Sequence, residues 1–142
     1  MSKKVSFVAA VLVIGACVGC NQSPFNADVT GSVTLDGKPV PPGVVIFSAE
    51  DGGRNSSRGR IEPGGDYFLV TRHSRGIDAG NYRVAVQVYE KGDPPGPGER
   101  APANLPPLVP EKYLSVDTSG LAFTVGPGSN TIDIALTSDG GK

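Results

Sequence analysis

Few side chains in this chain have the chemistry of a catalyst or a ligand. Of 142 residues, one is histidine (His73), two are cysteine (Cys17 and Cys20) and none is tryptophan. His73 lies in Arg72-His73-Ser74-Arg75, with Asp78 just beyond. A serine, a histidine and an acid therefore share one short segment. A hydrolytic triad needs those groups on separate rigid elements beside an oxyanion hole. No Gly-x-Ser-x-Gly elbow is present either, so the segment reads as a solvated charged loop. Asp51-Gly52-Gly53 and Pro63-Gly64-Gly65-Asp66 offer one or two carboxylates each. Calcium takes several oxygen ligands along one loop, so both read as ordinary turns. Arg54, Arg58 and Arg60 have the charge to meet anionic sugars or phospholipid headgroups, although scattered surface arginines are commonplace. Both cysteines precede residue 21. The rest of the chain therefore has no internal disulfide, no thiol nucleophile, no Cys/His zinc cluster and no cysteine–histidine pair. The expectation is no metal and no cofactor.

The cysteines belong to a leader. Lys3 and Lys4 form a positive start, Val5 to Gly15 is apolar except for Ser6, and small residues and cysteines follow to Cys20. That order is a secretory signal, and the apolar run is shorter than the roughly 20 residues of a membrane span. Ile14-Gly15-Ala16-Cys17 resembles the lipobox of bacterial lipoproteins, in which the cysteine is acylated and becomes the mature N-terminus. By this resemblance Cys17 is the preferred lipidation site. Cys20, in Cys17-Val18-Gly19-Cys20, is the alternative, standing beside the polar Asn21-Gln22-Ser23. Several acyl chains, at about 0.8 kcal/mol per buried CH₂, make a durable anchor. Removing the leader takes Lys3 and Lys4 with it, leaving 11 basic side chains (13 − 2) against 14 acidic ones. A mildly acidic surface argues against a nucleic-acid partner.

The elements after the leader read as β throughout. No stretch beyond Cys20 keeps apolar residues at helical spacing for three turns. Short alternating runs between Gly, Pro and Asp turns dominate. Residues 21–27 are a polar tether, and residues 28–138 the domain. The expected strands are Asp28–Leu35, Val44–Ala49 (central), Gly59–Glu62, Tyr67–Thr71, Tyr82–Tyr89, and a closing hairpin of Leu121–Val125 with Ile132–Leu136. Asp36-Gly37 is a hairpin turn signal. Lys38–Gly43 is a proline-stiffened connection and Arg72–Asn81 a charged loop. Residues 91–110 carry seven prolines and read as a polyproline-like or irregular excursion, and residues 139–142 as a tail. Seven short strands, each with one apolar face, predict two sheets packed face to face: a seven-stranded Ig-like or prealbumin-like β-sandwich. Its core runs from Val29, Val33 and Leu35 to Ile132, Ile134 and Leu136.

Several segments carry a resemblance. Val29-Thr30-Gly31-Ser32-Val33 followed by Gly37-Lys38-Pro39-Val40, then Gly65-Asp66-Tyr67-Phe68-Leu69 and Ala79-Gly80-Asn81-Tyr82-Arg83-Val84, resemble the strand motifs of carboxypeptidase regulatory-like, or transthyretin-like, domains. Ala79 stands where proline is usual. Pro110-Glu111-Lys112-Tyr113, Thr118-Ser119-Gly120-Leu121 and Asn130-Thr131-Ile132-Asp133-Ile134 resemble the endings of small exported lipoproteins of planctomycete-type bacteria. The resemblance implies a fold and a place, and a non-catalytic accessory role. It carries over no functional residue. On a structural reading, Gly31 permits close packing or a bulge, Gly37 and Gly80 serve turns, and Tyr67 and Tyr82 fill the core.

The functional expectation is a non-catalytic, membrane-anchored lipoprotein of the cell envelope, periplasmic or outward-facing. Its β-domain would act as a structural or protein-binding module. Its partners would be the membrane, through the N-terminal lipid, and another envelope protein or a polysaccharide. The alternative is a carbohydrate-binding or adhesion module with Tyr89 and Tyr113 exposed as stacking platforms.

Overall fold

A computed structural model of the chain describes residues 24–52, 56–90 and 105–139. Within them the fold is all-β, with one 3₁₀ turn over Glu111–Leu114. The strands are β1 (Ala27–Leu35), β2 (Lys38–Pro39), β3 (Gly43–Ala49), β4 (Ser56–Ile61), β5 (Asp66–Phe68), β6 (Val70–Thr71), β7 (Ser74–Arg75), β8 (Gly80–Gln87), β9 (Leu121–Val125), β10 (Gly128–Thr131) and β11 (Ile134–Leu136). They join in one curled sheet of order β10-β1-β5-β4-β3-β8-β9, with β11 and β2 on β1 and the β6–β7 hairpin beside β4. Pairing is antiparallel except that β10 and β11 run parallel to β1.

Alternation decides which side chains enter the core. In β8, Tyr82, Val84, Val86 and the following Val88 are all buried. In β4, Ser57, Gly59 and Ile61 face inward, while Ser56, Arg58 and Arg60 face out. Phe47 of the central β3 is fully buried and gathers Tyr67, Tyr82 and Phe123 at centroid separations of 6.1–6.4 Å, the tilted and offset geometry aromatic rings prefer. Leu35, Leu121 and Phe123 pack against the cluster from its rim, half-buried.

The chain ending departs from the expected hairpin. Leu121–Val125 pairs with β8, with Tyr82 opposite Phe123. The last residues cross to the other edge, with Thr131 beside Thr30 and Ile134 beside Val33. The cause is the link between them. Pro127 has no amide to give a ladder, and Gly128 sits at φ +86°. The Asn130 side chain takes the Gly126 amide and donates to the Gly126 carbonyl (3.0 and 2.7 Å). The loop is thus closed by a side chain rather than by a two-residue turn.

Three other local readings change. The expected loop after Thr71 contains a tight hairpin: Thr71 opposes Ser74, with Arg72 and His73 at φ +47° and +73°. Ile77 then exchanges backbone hydrogen bonds with Ala27 and is buried. Gly80 begins a strand at an ordinary φ, so it serves no turn that demands glycine. Of the proline-rich stretch, residues 91–104 lie outside the described ones, and its end docks on the extension of β8: Leu108 donates to Val88 O, Glu90 to Pro106 O, and Val109 is buried. The Asp36-Gly37 turn is as expected. Both residues have positive φ (51° and 79°), the two-residue type I′ geometry that glycine favours, and Leu35 opposes Lys38.

Candidate functional site

A concavity of about 420 Å³ lies on the outer side of β1 where its pairing changes partner. Its floor follows from register. Thr30 stands between Phe68 and Thr131, and Ser32 opposes Asp66. Gly31 makes the bend possible. A Cβ there would stand 1.9 Å from the Ile132 carbonyl oxygen. The Tyr67 hydroxyl donates to that same oxygen at 2.7 Å, and Tyr67 also rests against Gly59. At the next step, the Asp133 carboxylate replaces a ladder carbonyl and takes both the backbone amide and the hydroxyl of Ser32 at 2.9 Å.

The polar groups of this groove are tied into the scaffold. The Arg75 Nε donates to both oxygens of Asp28 at 3.0 Å, and its guanidinium lies 5.2 Å over the Phe68 ring. Both partners of that ion pair are solvent-exposed, so the pair contributes little to stability. Burial, and next the nearby Asp133 carboxylate, push the Tyr67 hydroxyl far above its ordinary range; it is a fixed hydrogen-bond donor. Phe68 is 41% exposed at the groove wall, and the other aromatic side chains among the described residues are buried or half-buried. The groove can therefore receive a contact by stacking on Phe68 and by hydrogen bonds to Ser32, Thr30, Thr131, Asp66 and Glu62.

The residues singled out from the sequence fall elsewhere. Cys17 and Cys20 lie outside the described residues. Tyr113 is not an exposed platform: it is 4% exposed in the core cluster, with its hydroxyl 3.4 Å from Thr137 Oγ1. Burial is its natural place, since the 3₁₀ turn of Glu111–Leu114 lays one apolar side chain across β8. Tyr89 is half-buried, and its backbone bridges to Pro107. The two tyrosines thus form no shared stacking surface. His73 and Ser74 occupy the hairpin tip and its first strand residue, whereas Asp78 gives its backbone carbonyl to the Tyr82 hydroxyl at 2.7 Å. No three His, Cys, Asp or Glu side chains stand together as a metal site among the described residues. No helix there is long and apolar enough to cross a membrane.

Phe68 and the Ser32–Asp133 pair were missed by sequence reasoning. The former looked like the outward residue of an ordinary strand, and the latter joins residues 101 positions apart. No protein-family model, curated protein or solved structure matches this chain.

Proposed function

We propose that the protein is a non-catalytic lipoprotein of the cell envelope. In this reading it is held to a membrane by a lipid on Cys17, with Cys20 as the alternative. Its β-domain, read as a sandwich of the carboxypeptidase regulatory-like kind, acts as a structural or protein-binding module. The observation that carries the binding part is the groove over the bend of β1. Its reactive-looking groups, Tyr67, Asp133 and Arg75, are each committed to a scaffold partner, while its contact groups are presented outward. That arrangement suits recognition better than proton or group transfer, which needs a base within reach of a nucleophile. The anchor rests on the leader and its lipobox-like Ile14-Gly15-Ala16-Cys17.

A carbohydrate-binding or adhesion module is the second reading. It is favoured by Phe68 beside Asp66, Ser32 and Thr131, an aromatic surface with hydroxyl-bonding neighbours, and not by Tyr89 and Tyr113.

Mass spectrometry of the mature N-terminus tests the anchor. The expected result is a diacyl- or triacyl-cysteine at position 17, or else at 20. An unmodified cysteine, or a start beyond residue 20, overturns it. Pull-down from native membranes with wild type and Phe68→Ala tests the groove. Loss of a protein partner supports the first reading, loss of a polysaccharide the second, and an unchanged partner set removes the groove from both.

A further inference from the structure

A second cleft, about 340 Å³, is lined by Ser56, Arg58, Val70, Arg72 and His73. Two arginines and the chain's one histidine converge there, and no carboxylate lines it among the described residues. Residues 12 or more positions apart in sequence meet because Arg58 of β4 opposes Val70 of β6, and the β6–β7 turn folds back beside them.

Two observations mark the cleft as more than a charged surface. Arg58 is half-buried, yet it makes no ion pair among the described residues. A partly desolvated cation is normally found with an opposing charge. The turn is also built from the wrong residues. A two-residue hairpin of this kind favours Asn-Gly or Asp-Gly, whereas here Arg72 and His73 both hold a left-handed backbone. Such strain costs stability and gathers at ligand-contacting positions.

The place of the cleft in the fold names its ligand. Arg75 grips Asp28 at the start of β1, and Ile77 pairs with Ala27. The hairpin that carries Arg72 and His73 therefore stands beside the point where the tether joins the domain. From Cys17 to Ala27 a fully extended tether spans at most about 34 Å, and from Cys20 about 24 Å. We propose that this cleft receives a phosphate oxyanion presented by the headgroups of anionic phospholipid, with Arg58 and His73 as its contact groups. The proposal rests on the lipid-anchor reading given above. Arginine supplies paired donors that match phosphate oxygens, and the Ser56 hydroxyl adds another. Glu50, Asp51 and Asp78 line a separate cleft at the same end, across β3 and β8. The two clefts therefore differ in the charge they present, and contact through Arg58 would tilt the domain on the membrane.

The test uses the full lipoprotein reconstituted in vesicles of phosphatidylcholine alone, or of equimolar phosphatidylcholine and phosphatidylglycerol. Amide hydrogen exchange is followed in peptides covering residues 56–61 and 70–75. Each basic residue near an anionic surface is worth about a fivefold preference. The expected result is exchange slowed by about that factor on the anionic vesicles, reversed by high salt and lost in Arg58→Gln and in His73→Asn. Arg58 and His73 lie on the outer side, so neither substitution empties core. Unchanged exchange in peptides covering β8 confirms that each variant is folded. Equal exchange on the two vesicles, or slowing that survives Arg58→Gln, overturns the proposal. Equal slowing by inorganic phosphate on neutral vesicles overturns the lipid as the source. A chain that fails to float with neutral vesicles sinks the anchor reading instead, and its exchange on anionic vesicles still decides the cleft.

Discussion

Replacing Gly31 with alanine should destabilise the domain by about 4 kcal/mol. The built Cβ falls 1.9 Å from the Ile132 oxygen and 3.2 Å from Tyr67 Cε1. Ordinary contact is about 3.5 Å, so the carbonyl must retreat by about 1.6 Å or β1 must shift by as much. Overpacking of this kind costs about 1–3 kcal/mol. The displaced oxygen also leaves the Tyr67 hydroxyl, bonded to it at 2.7 Å, without its buried acceptor, a further loss of about 1–3 kcal/mol. The sum is a large share of the roughly 5–15 kcal/mol that holds a domain together. Urea unfolding followed by far-ultraviolet circular dichroism measures it, with an unchanged m-value as the sign that only stability moved. The mechanism has its own check. In a Tyr67→Phe background the hydrogen bond is already gone, so the cost of Gly31→Ala should fall to the overpacking part, about 1–3 kcal/mol. Gly80→Ala is the control: its Cβ would meet nothing closer than 3.8 Å and its φ is ordinary, so it should be near neutral. A cost below about 1 kcal/mol for Gly31→Ala, or full additivity with Tyr67→Phe, would refute the steric argument.

Thr71→Val should cost about 1–3 kcal/mol in the same unfolding assay. The Thr71 hydroxyl gives its only proton to Gly76 O at 2.7 Å, so the buried Ser57 hydroxyl must be the donor of their mutual bond, and valine leaves it with no acceptor. Tyr113→Ala should cost about 3–5 kcal/mol, the range for emptying a large aromatic site, whereas Tyr113→Phe should change stability by about 1 kcal/mol or less, because the bonds it loses, to Thr137 Oγ1 and from the Thr137 amide, are both long (3.4 and 3.3 Å). Alkali should unfold the protein partly through Tyr67. Its folded hydroxyl titrates far above its unfolded value of 10.0, because of burial first and Asp133 second. The stabilisation is therefore complete below about pH 10 and falls by about 1.4 kcal/mol per pH unit above it. Stability measured against pH should decline less steeply there in Tyr67→Phe, and parallel curves would contradict the assignment.

How much of the fold was legible depended on whether a residue's neighbours were local. Alternation over Tyr82–Val88 placed Tyr82, Val84, Val86 and Val88 on the core face, because period 2 along a strand is a local property, whereas the burial of Ala85 on the opposite face has no such local signal. The same alternation in Leu121–Val125 and Ile132–Leu136 identified two strands but not their partners. Ladder choice is decided by the link between them, where Pro127, Gly128 and the Asn130 side chain divert the chain to the far edge. Ile77 and Val109 were missed from the core for a related reason. Each is a lone apolar residue in a charged or proline-rich run, and each is buried by a contact distant in sequence: Ile77 with Ala27, Val109 beside the extension of β8.

The two concave sites show the same limit more sharply. Arg58 was visible as one of three nearby arginines, and His73 as the centre of a charged loop, yet nothing local joined them. The join depends on the antiparallel register that sets Arg58 against Val70, and on a turn that Thr-Arg-His-Ser does not announce, since it holds neither glycine nor asparagine. A turn that folds against its own residue preferences has to be held by what surrounds it. Here the buried Ser57–Thr71–Gly76 chain of hydrogen bonds sits directly beneath the tip and supplies that hold. Removing it with Thr71→Val should therefore loosen Arg72 and His73 before it unfolds the sheet. Amide exchange in residues 70–75 should rise more than in β8, and a uniform rise across both would mean the turn needs no such support.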